Sequence, residues 1–240
     1  MKLPTVDPVV AVSLISTRRP AGPHRMSDAR PDPADEKASL RKSAALSRAA
    51  LAAGDPDAAE RLAAQADILK DIASPLAEEA GADAPVIAAY LPIRSELSPL
   101  PLVATLAAAG MMTAMPVTPS PGNPLSFRAW APGDALADGP YNTQQPPPDW
   151  PEVTPNVILA PMLAFDDDGW RLGYGGGFYD RTLAGLRAGG HRVAALGIAY
   201  DGQHVEAVPT GPYDMRLDGV LTPSGLRLAE QRSGARRSGE

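Results

Sequence analysis

Between the apolar stretch Val157 to Phe165 and a helical period through Leu183 and Leu186, the chain runs Arg171-Leu-Gly-Tyr-Gly-Gly-Gly-Phe-Tyr-Asp-Arg181. A strand, a glycine turn and a helix start, in that order, form a unit of α/β folds, and the unit constrains what the turn can offer. The N–H groups of Gly175, Gly176 and Gly177 would point outward from the open end of the helix, where a polyphosphate accepts from them. The helix dipole adds roughly half a positive charge there. Asp180, one turn into the helix, would be in reach of a magnesium ion held against the same phosphates. The spacing excludes a dinucleotide fingerprint, which needs glycine where Phe178 stands, and a P-loop, which needs Gly-Lys-Ser/Thr. Three consecutive glycines also suit a tight connection with positive φ, and the glycines alone do not separate the two readings.

The rest of the chain alternates helix and strand from about Asp35. A helix opens at Asp35-Glu36 with Leu40, Ala44 and Leu51 on one face and ends at Gly54. Asp55-Pro56 predicts an N-cap and first turn of a second helix reaching about Ile72. Strands are expected at Val86 to Leu91, Met111 to Val117, Leu125 to Trp130, Val157 to Phe165 and Val193 to Tyr200, with a helix from Leu100 to Ala109 closed by Gly110. This order predicts a single α/β domain with substantial parallel pairing over residues 35–229. The Pro-, Gly- and Gln-rich stretch from Ala131 to Asn156 reads as a long irregular excursion over the surface. Residues 1–34 and 230–240 are expected to be a disordered extension and tail, with Met26 a second possible translation start.

Composition closes off several classes of function. The chain has no cysteine, so it has no disulfide, thiolate nucleophile or cysteine-held metal. A formal charge of −6 argues against broad nucleic-acid affinity, so any anionic ligand has to be held by local groups. Residues Leu97 to Phe127 carry no charge, but repeated prolines would break a membrane-spanning helix. His24, His191 and His204 lack ligand spacing, which argues against zinc. The expectation is a cytoplasmic monomer acting on small molecules, with neither nucleic acid nor membrane as partner.

Several charged residues are candidates to join the glycine loop. Lys37 and Arg41, four apart, put two cations on one helical face, an arrangement that a solvated surface would also explain. Glu96 follows a strand end, and Asp214 and Asp218 sit in Pro212-Tyr-Asp-Met-Arg-Leu-Asp218. Carboxylates in such places either line the ligand crevice of an α/β sheet or cap loops. Asp180 with Asp214 is the pair expected to hold magnesium, with water and phosphate oxygens completing the shell.

Together these residues resemble the 5-formyltetrahydrofolate cyclo-ligase family, also called methenyltetrahydrofolate synthetase. The resemblance rests on Pro161 through Arg181 and extends from about Lys37 to Thr222, taking in Lys-x-x-x-Arg, Leu-x-x-x-x-Glu, Pro-Leu-x-Phe-Arg-x-Trp and the late Asp-x-x-x-Asp. It implies a three-layer Rossmann-like domain that couples ATP hydrolysis to closure of a folate ring, giving 5,10-methenyltetrahydrofolate, ADP and phosphate. It further implies that Lys37 and Arg41 contact ATP phosphates, and that Arg171, Leu172, Gly173, Tyr174, Gly175, Gly176, Gly177, Phe178 and Tyr179 wrap the nucleotide. The stretch from Tyr174 to Phe178 would also meet the folate. Leu91 and Glu96 match folate-contacting positions, Asp180 and Asp214 magnesium-holding ones. Glu96 is expected to accept from pterin N–H groups rather than act as the base, having no evident partner in the sequence to tune its pKa. Where many members carry a Gly-Ile-Pro-Glu-Pro-like segment, this chain has Tyr141-Asn-Thr-Gln-Gln-Pro146. Two rivals stand beside this reading. A non-catalytic nucleotide- or folate-binding protein of the same fold would keep the loop without turnover, and a nicotinamide-dependent oxidoreductase would need the fingerprint that is missing.

Overall fold

The computed structural model describes residues 33–230, so the expectations for residues 1–32, Met26 and the residues after 230 lie outside the described residues. Pro33 and Ala34, expected in the disordered extension, begin a helix, and Glu230, expected in the tail, donates its amide to Asp167 O at 2.8 Å. Helix α1 spans Pro33–Gly54, α2 Ala58–Ala63, α3 Ala66–Glu79, α4 Leu100–Ala108 and α5 Phe178–Ala188. The main strands are β1 Val86–Ala88, β2 Met112–Val117, β3 Ser126–Ala129, β6 Val157–Pro161, β9 Ala194–Ile198, β10 Gly219–Thr222 and β11 Gly225–Leu228. Two-residue strands β4 (Ala137–Asp138) and β5 (Gln144–Gln145) pair with each other, as do β7 (Ala164–Phe165) and β8 (Arg171–Leu172).

The main strands form one seven-stranded sheet in the order β11-β10-β9-β6-β1-β2-β3. Pairing is parallel from β10 through to β2, and an antiparallel strand closes each edge. The chain builds from β1 outward through β2 to one side and from β6 outward through β9 and β10 to the other. Its direction of growth therefore reverses between β1 and β6, the place where an α/β sheet opens a crevice beyond its strand ends.

The pleat sorts side chains into two apolar layers. Ile87, Val157, Leu159 and Leu196 pack with Leu62, Leu69, Ile72 and Leu76 of α2 and α3 and with Leu102 and Leu106 of α4. Their alternates Val86, Ala88, Ile158, Ala160 and Ala195 face the opposite way, onto Leu183 and Leu186 of α5. The three-layer α/β expectation is correct, and the continuous apolar runs read in the sequence are strands buried on both faces. Among the described residues no helix is long and apolar enough to cross a membrane.

Local departures have physical causes. The helix expected from Asp55 to Ile72 is two helices, broken at Ala64 and Gln65. Asp55 does not cap it; its carboxylate accepts from Arg61 at 2.6 Å, while Asp57 takes the cap position without a side-chain bond. Helix α3 continues through Pro75 to Glu79, because Leu76 and Ala77 bury their side chains beyond the missing hydrogen bond. The stretch Val157 to Phe165 leaves the sheet after Pro161 and turns into the β7–β8 hairpin. The excursion from Ala131 to Asn156 is mostly irregular, but it contains the β4–β5 ladder.

Leu159 is fully buried in the central strand. Leu159→Ala is expected to destabilise the protein by about 3 kcal/mol, read as a lower urea midpoint with an unchanged m-value. A loss below about 1 kcal/mol would show that the centre of the sheet is not the tightly packed core described.

Candidate active site

The glycine turn leaves β8 and enters α5 directly. Gly175 (φ +101°) and Gly177 (φ +65°) both hold the left-handed conformation, and Gly177 is the residue at which α5 begins. Side chains from elsewhere crowd both positions: a Cβ on Gly175 would lie 3.3 Å from Arg41 Nη2, and one on Gly177 would lie 2.6 Å from Arg181 Nη1. The tight-connection reading is thus correct as geometry, and it is compatible with an anion cradle. Tyr174, Gly175 and Gly176 are exposed, and among the described residues no acceptor meets the amides of Gly175, Gly176 or Gly177.

The two α1 cations are not a solvated face. Arg41 Nε donates to Gly173 O at 2.9 Å, and Lys37 Nζ donates to Asp214 Oδ2. Arg181 Nη2 donates to Gly176 O at 2.6 Å, so guanidinium groups hold the turn at both ends. Arg171 Nη2 donates to Asp180 Oδ1 at 2.8 Å, and the same oxygen accepts from Met215 N at 2.9 Å. Asp214 Oδ2 accepts also from Gly211 N at 2.6 Å. Residues 211–215 thereby bring the two aspartates to one place. Each uses a single oxygen for protein contacts, and its second oxygen has no partner among the described residues. That donor set suits a hard dication that takes one or two carboxylates and fills its shell with water and phosphate oxygens. Among the described residues no group of three or more His, Asp or Glu is placed to hold a metal.

On the other side of the crevice, Leu91 packs against the larger apolar layer and Glu96 is buried in the turn after β1. The expectation that Glu96 lacks a partner is wrong. Its Oε2 accepts from Ile93 N at 2.9 Å, and its Oε1 lies 3.7 Å from Arg48 Nη1. Burial pushes the Glu96 carboxyl above its usual range, against the Ile93 amide and Arg48, which lower it. Burial likewise raises the Tyr179 and Tyr90 phenols, with Glu96 adding to both. Asp218 does not join the site: its carboxylate accepts from Ala195 N at 2.8 Å and Arg187 Nη2 at 3.0 Å, where it ties α5 to the sheet. The excursion returns to the site at its tip, where the Tyr141 ring lies 6.5 Å from that of Phe178.

Arg48 was not a candidate from sequence, although it follows Arg41 by seven residues and so shares its helical face. Arg181 was also missed as a loop-holding residue; its place one turn into α5, next to Asp180, was the available signal.

The match to known proteins covers all of these positions. The description of the 5-formyltetrahydrofolate cyclo-ligase family matches residues 33–223, which include every candidate from Lys37 to Asp214. This chain belongs to the 5-formyltetrahydrofolate cyclo-ligase family. The 5-formyltetrahydrofolate cyclo-ligase of Escherichia coli strain K12 is 36% identical over 143 residues, 58% of this chain and 78% of that enzyme. The enzyme of that name from Mycolicibacterium smegmatis is 35% identical over 149 residues, 57% of this chain and 73% of its own. The NMR structure of Aquifex aeolicus 5,10-methenyltetrahydrofolate synthetase superposes with a TM-score of 0.62 at 26% identity, covering 85% of this chain and 96% of the other. Within the cyclo-ligase fold, Glu96 follows β1 and the glycine turn follows β6 through the β7–β8 hairpin, so both flank the β1–β6 reversal, and residues 211–215 bring Asp214 towards Asp180.

The Glu96 environment sets a stability signature. Its folded pKa lies above the usual value of 4.5, so ionisation penalises the fold. The stability tied to Glu96 is complete below that value and is lost as pH rises through the folded pKa. Relative to Glu96→Gln, the unsubstituted protein should therefore lose stability as pH is raised from about 4.5 towards neutrality, by urea unfolding at matched pH. A relative gain over that range would mean that Arg48 and the Ile93 amide outweigh burial.

Proposed function

We propose that this protein catalyses the ATP- and magnesium-dependent cyclisation of 5-formyltetrahydrofolate to 5,10-methenyltetrahydrofolate, releasing ADP and phosphate. The observation that carries the reading is the convergence at one glycine turn of amides that meet no acceptor among the described residues, the cations Lys37 and Arg41, and two aspartates that each keep an oxygen without a partner among those residues. Membership of the cyclo-ligase family supplies the substrate class. The same reading has the chain work as a monomer in the cytoplasm on two small molecules.

A formamide carbon is a poor electrophile, so its oxygen first has to become a leaving group. The formyl oxygen attacks the γ-phosphorus of ATP and ADP departs. Nitrogen 10 then closes on the activated carbon, the carbon–oxygen bond breaks, and inorganic phosphate leaves with the nitrogen's proton passing to phosphate or solvent. Charge in the first step spreads over the phosphoryl oxygens, so what the protein contributes is positioning and fixed positive potential rather than a nucleophile.

Each residue has a place in that scheme. The amides from Gly173 to Tyr179 and the α5 dipole bind the phosphates, with Lys37 and Arg41 set above them and Arg171 holding Asp180 in place. Leu172 anchors the strand that leads into the turn. Leu91, Glu96 and the outer face from Tyr174 to Phe178 receive the folate, with Glu96 accepting pterin N–H groups. Asp180 and Asp214 would hold magnesium, which would supply positive charge against the phosphates during phosphoryl transfer.

In an assay of 5-formyltetrahydrofolate with Mg-ATP, the methenyl chromophore should appear and chelation of the metal should abolish it. Asp180→Asn keeps an acceptor for Met215 N while removing the charge. It should lower turnover about 100-fold or more while the thermal midpoint falls far less, by the cost of leaving the nearly buried Arg171 against a neutral amide. Ligand binding without turnover in the unsubstituted protein would replace this reading with that of a non-catalytic binding protein. A severe loss of stability in Asp180→Asn with normal activity per folded molecule would make Asp180 structural.

A further inference from the structure

Arg48 carries the cationic face of α1 into the interior. It is 1% exposed, and its guanidinium serves three segments besides its own helix. Nη1 donates to Met162 O just beyond β6 at 2.9 Å, Nε to Ser95 Oγ at 3.2 Å, and Nη2 to Tyr174 Oη at 2.5 Å. A buried guanidinium is a weak device for stability alone, since apolar packing of similar volume often serves a fold as well. Its planar fork does something an apolar side chain cannot, which is to fix several acceptors in one orientation.

The acceptors it fixes belong to both halves of the crevice. Ser95 and Glu96 lie in the turn after β1, the folate-facing side, whereas Tyr174 is part of the glycine turn. The turn's other two side-chain anchors, Arg41 on Gly173 O and Arg181 on Gly176 O, come from the nucleotide side or from α5 itself. Tyr174 between them is hydrogen-bonded through Arg48, and its ring is faced at 5.1 Å by Arg94 of the same β1 turn. Arg94 holds φ +54°, unusual for a residue with a side chain, so this turn has a defined and constrained shape.

We propose that Arg48 is a positioning residue that couples the two ligand sites, donating at once to Tyr174 and to the Ser95–Glu96 turn. This rests on the cyclo-ligase reading. Contacts that a folate makes on the β1 turn reach the Arg48 fork directly, and the fork passes them to Tyr174 at the centre of the glycine turn, favouring its phosphate-receiving shape. By linkage the nucleotide favours folate binding by the same factor.

The test is the ratio of dissociation constants for a magnesium complex of a non-hydrolysable ATP analogue, measured without and with saturating 5-formyltetrahydrofolate. In the unsubstituted protein folate should tighten the analogue about tenfold. Tyr174→Phe keeps the ring and loses only the hydroxyl, and Arg48→Lys keeps the charge and loses the fork. Both should bring the ratio within about twofold of one. A merely structural Arg48 would weaken the two ligands alike and leave the ratio unmoved. If Arg48→Lys fails to fold, Tyr174→Phe decides alone. A ratio still near tenfold in Tyr174→Phe, or near one in the unsubstituted protein, overturns the coupling while the cyclo-ligase reading stands. Failure of the unsubstituted protein to bind either ligand overturns that reading and the coupling with it.

Discussion

The site depends on the reversal of chain growth between β1 and β6. Parallel strands send all their carboxyl ends to one edge of the sheet, and at a reversal the connections that follow neighbouring strands part in opposite directions. Here the turn after β1 carries Leu91 and Glu96 to one side, and the β7–β8 hairpin after β6 delivers the glycine turn to the other. Helix α1, which precedes every strand, lies across the gap with Lys37, Arg41 and Arg48 spaced along one face. With β1 and β6 separated by another strand, those three side chains would no longer reach both segments.

The acidity of the whole chain does not oppose a polyanionic ligand. The net charge of −6 is a property of the whole chain, and at physiological ionic strength fields are screened over about 8 Å. Within that distance the glycine turn is bordered by Arg41 and Arg181, with Lys37 and Arg171 each on one of the two aspartates. Local arrangement, together with amides that meet no acceptor among the described residues, favours an anion where phosphates would lie.

What could be read from sequence was whatever a local period or a local turn determines. The glycine turn, the opening of α5, the two-faced burial of the central strands and the cationic face of α1 all follow from residues within one or two turns of each other. The unread parts depend on distant partners. The pairing of β10 and β11 begins at Gly219 and Gly225 and has no alternating signal of its own. Asp55 reads as a cap from its neighbours in sequence, but its carboxylate is taken by Arg61, six residues on. Glu96 looked unpartnered because Arg48 lies 48 residues before it in the chain, and Arg48 was not singled out because its acceptors, Met162, Ser95 and Tyr174, come from three other segments. Asp214 rather than Asp218 was the expected partner of Asp180; the strand start at Gly219 separates the two, turning Asp218 inward to Ala195 and leaving Asp214 at the crevice.

The pairing of Lys37 with Asp214 is best understood as a resting arrangement under the proposed function. Both side chains are partly exposed, at 16% and 26%, so the ion pair contributes at most about 1 kcal/mol to the fold. It still keeps a lysine and a carboxylate that would otherwise be solvated apart within one small volume. A nucleotide arriving with its metal brings both the anion that Lys37 lacks and the cation that Asp214 lacks, so each partner exchanges one favourable contact for another and neither is left unpaired. Arg171 and Asp180 behave differently: Arg171 is nearly buried, donates also to Met215 O at 2.8 Å, and shares Asp180 with the Met215 amide. That pair is fixed to the backbone at both ends, so Asp180 supplies the rigid half of the proposed metal site and Asp214 the half that adjusts.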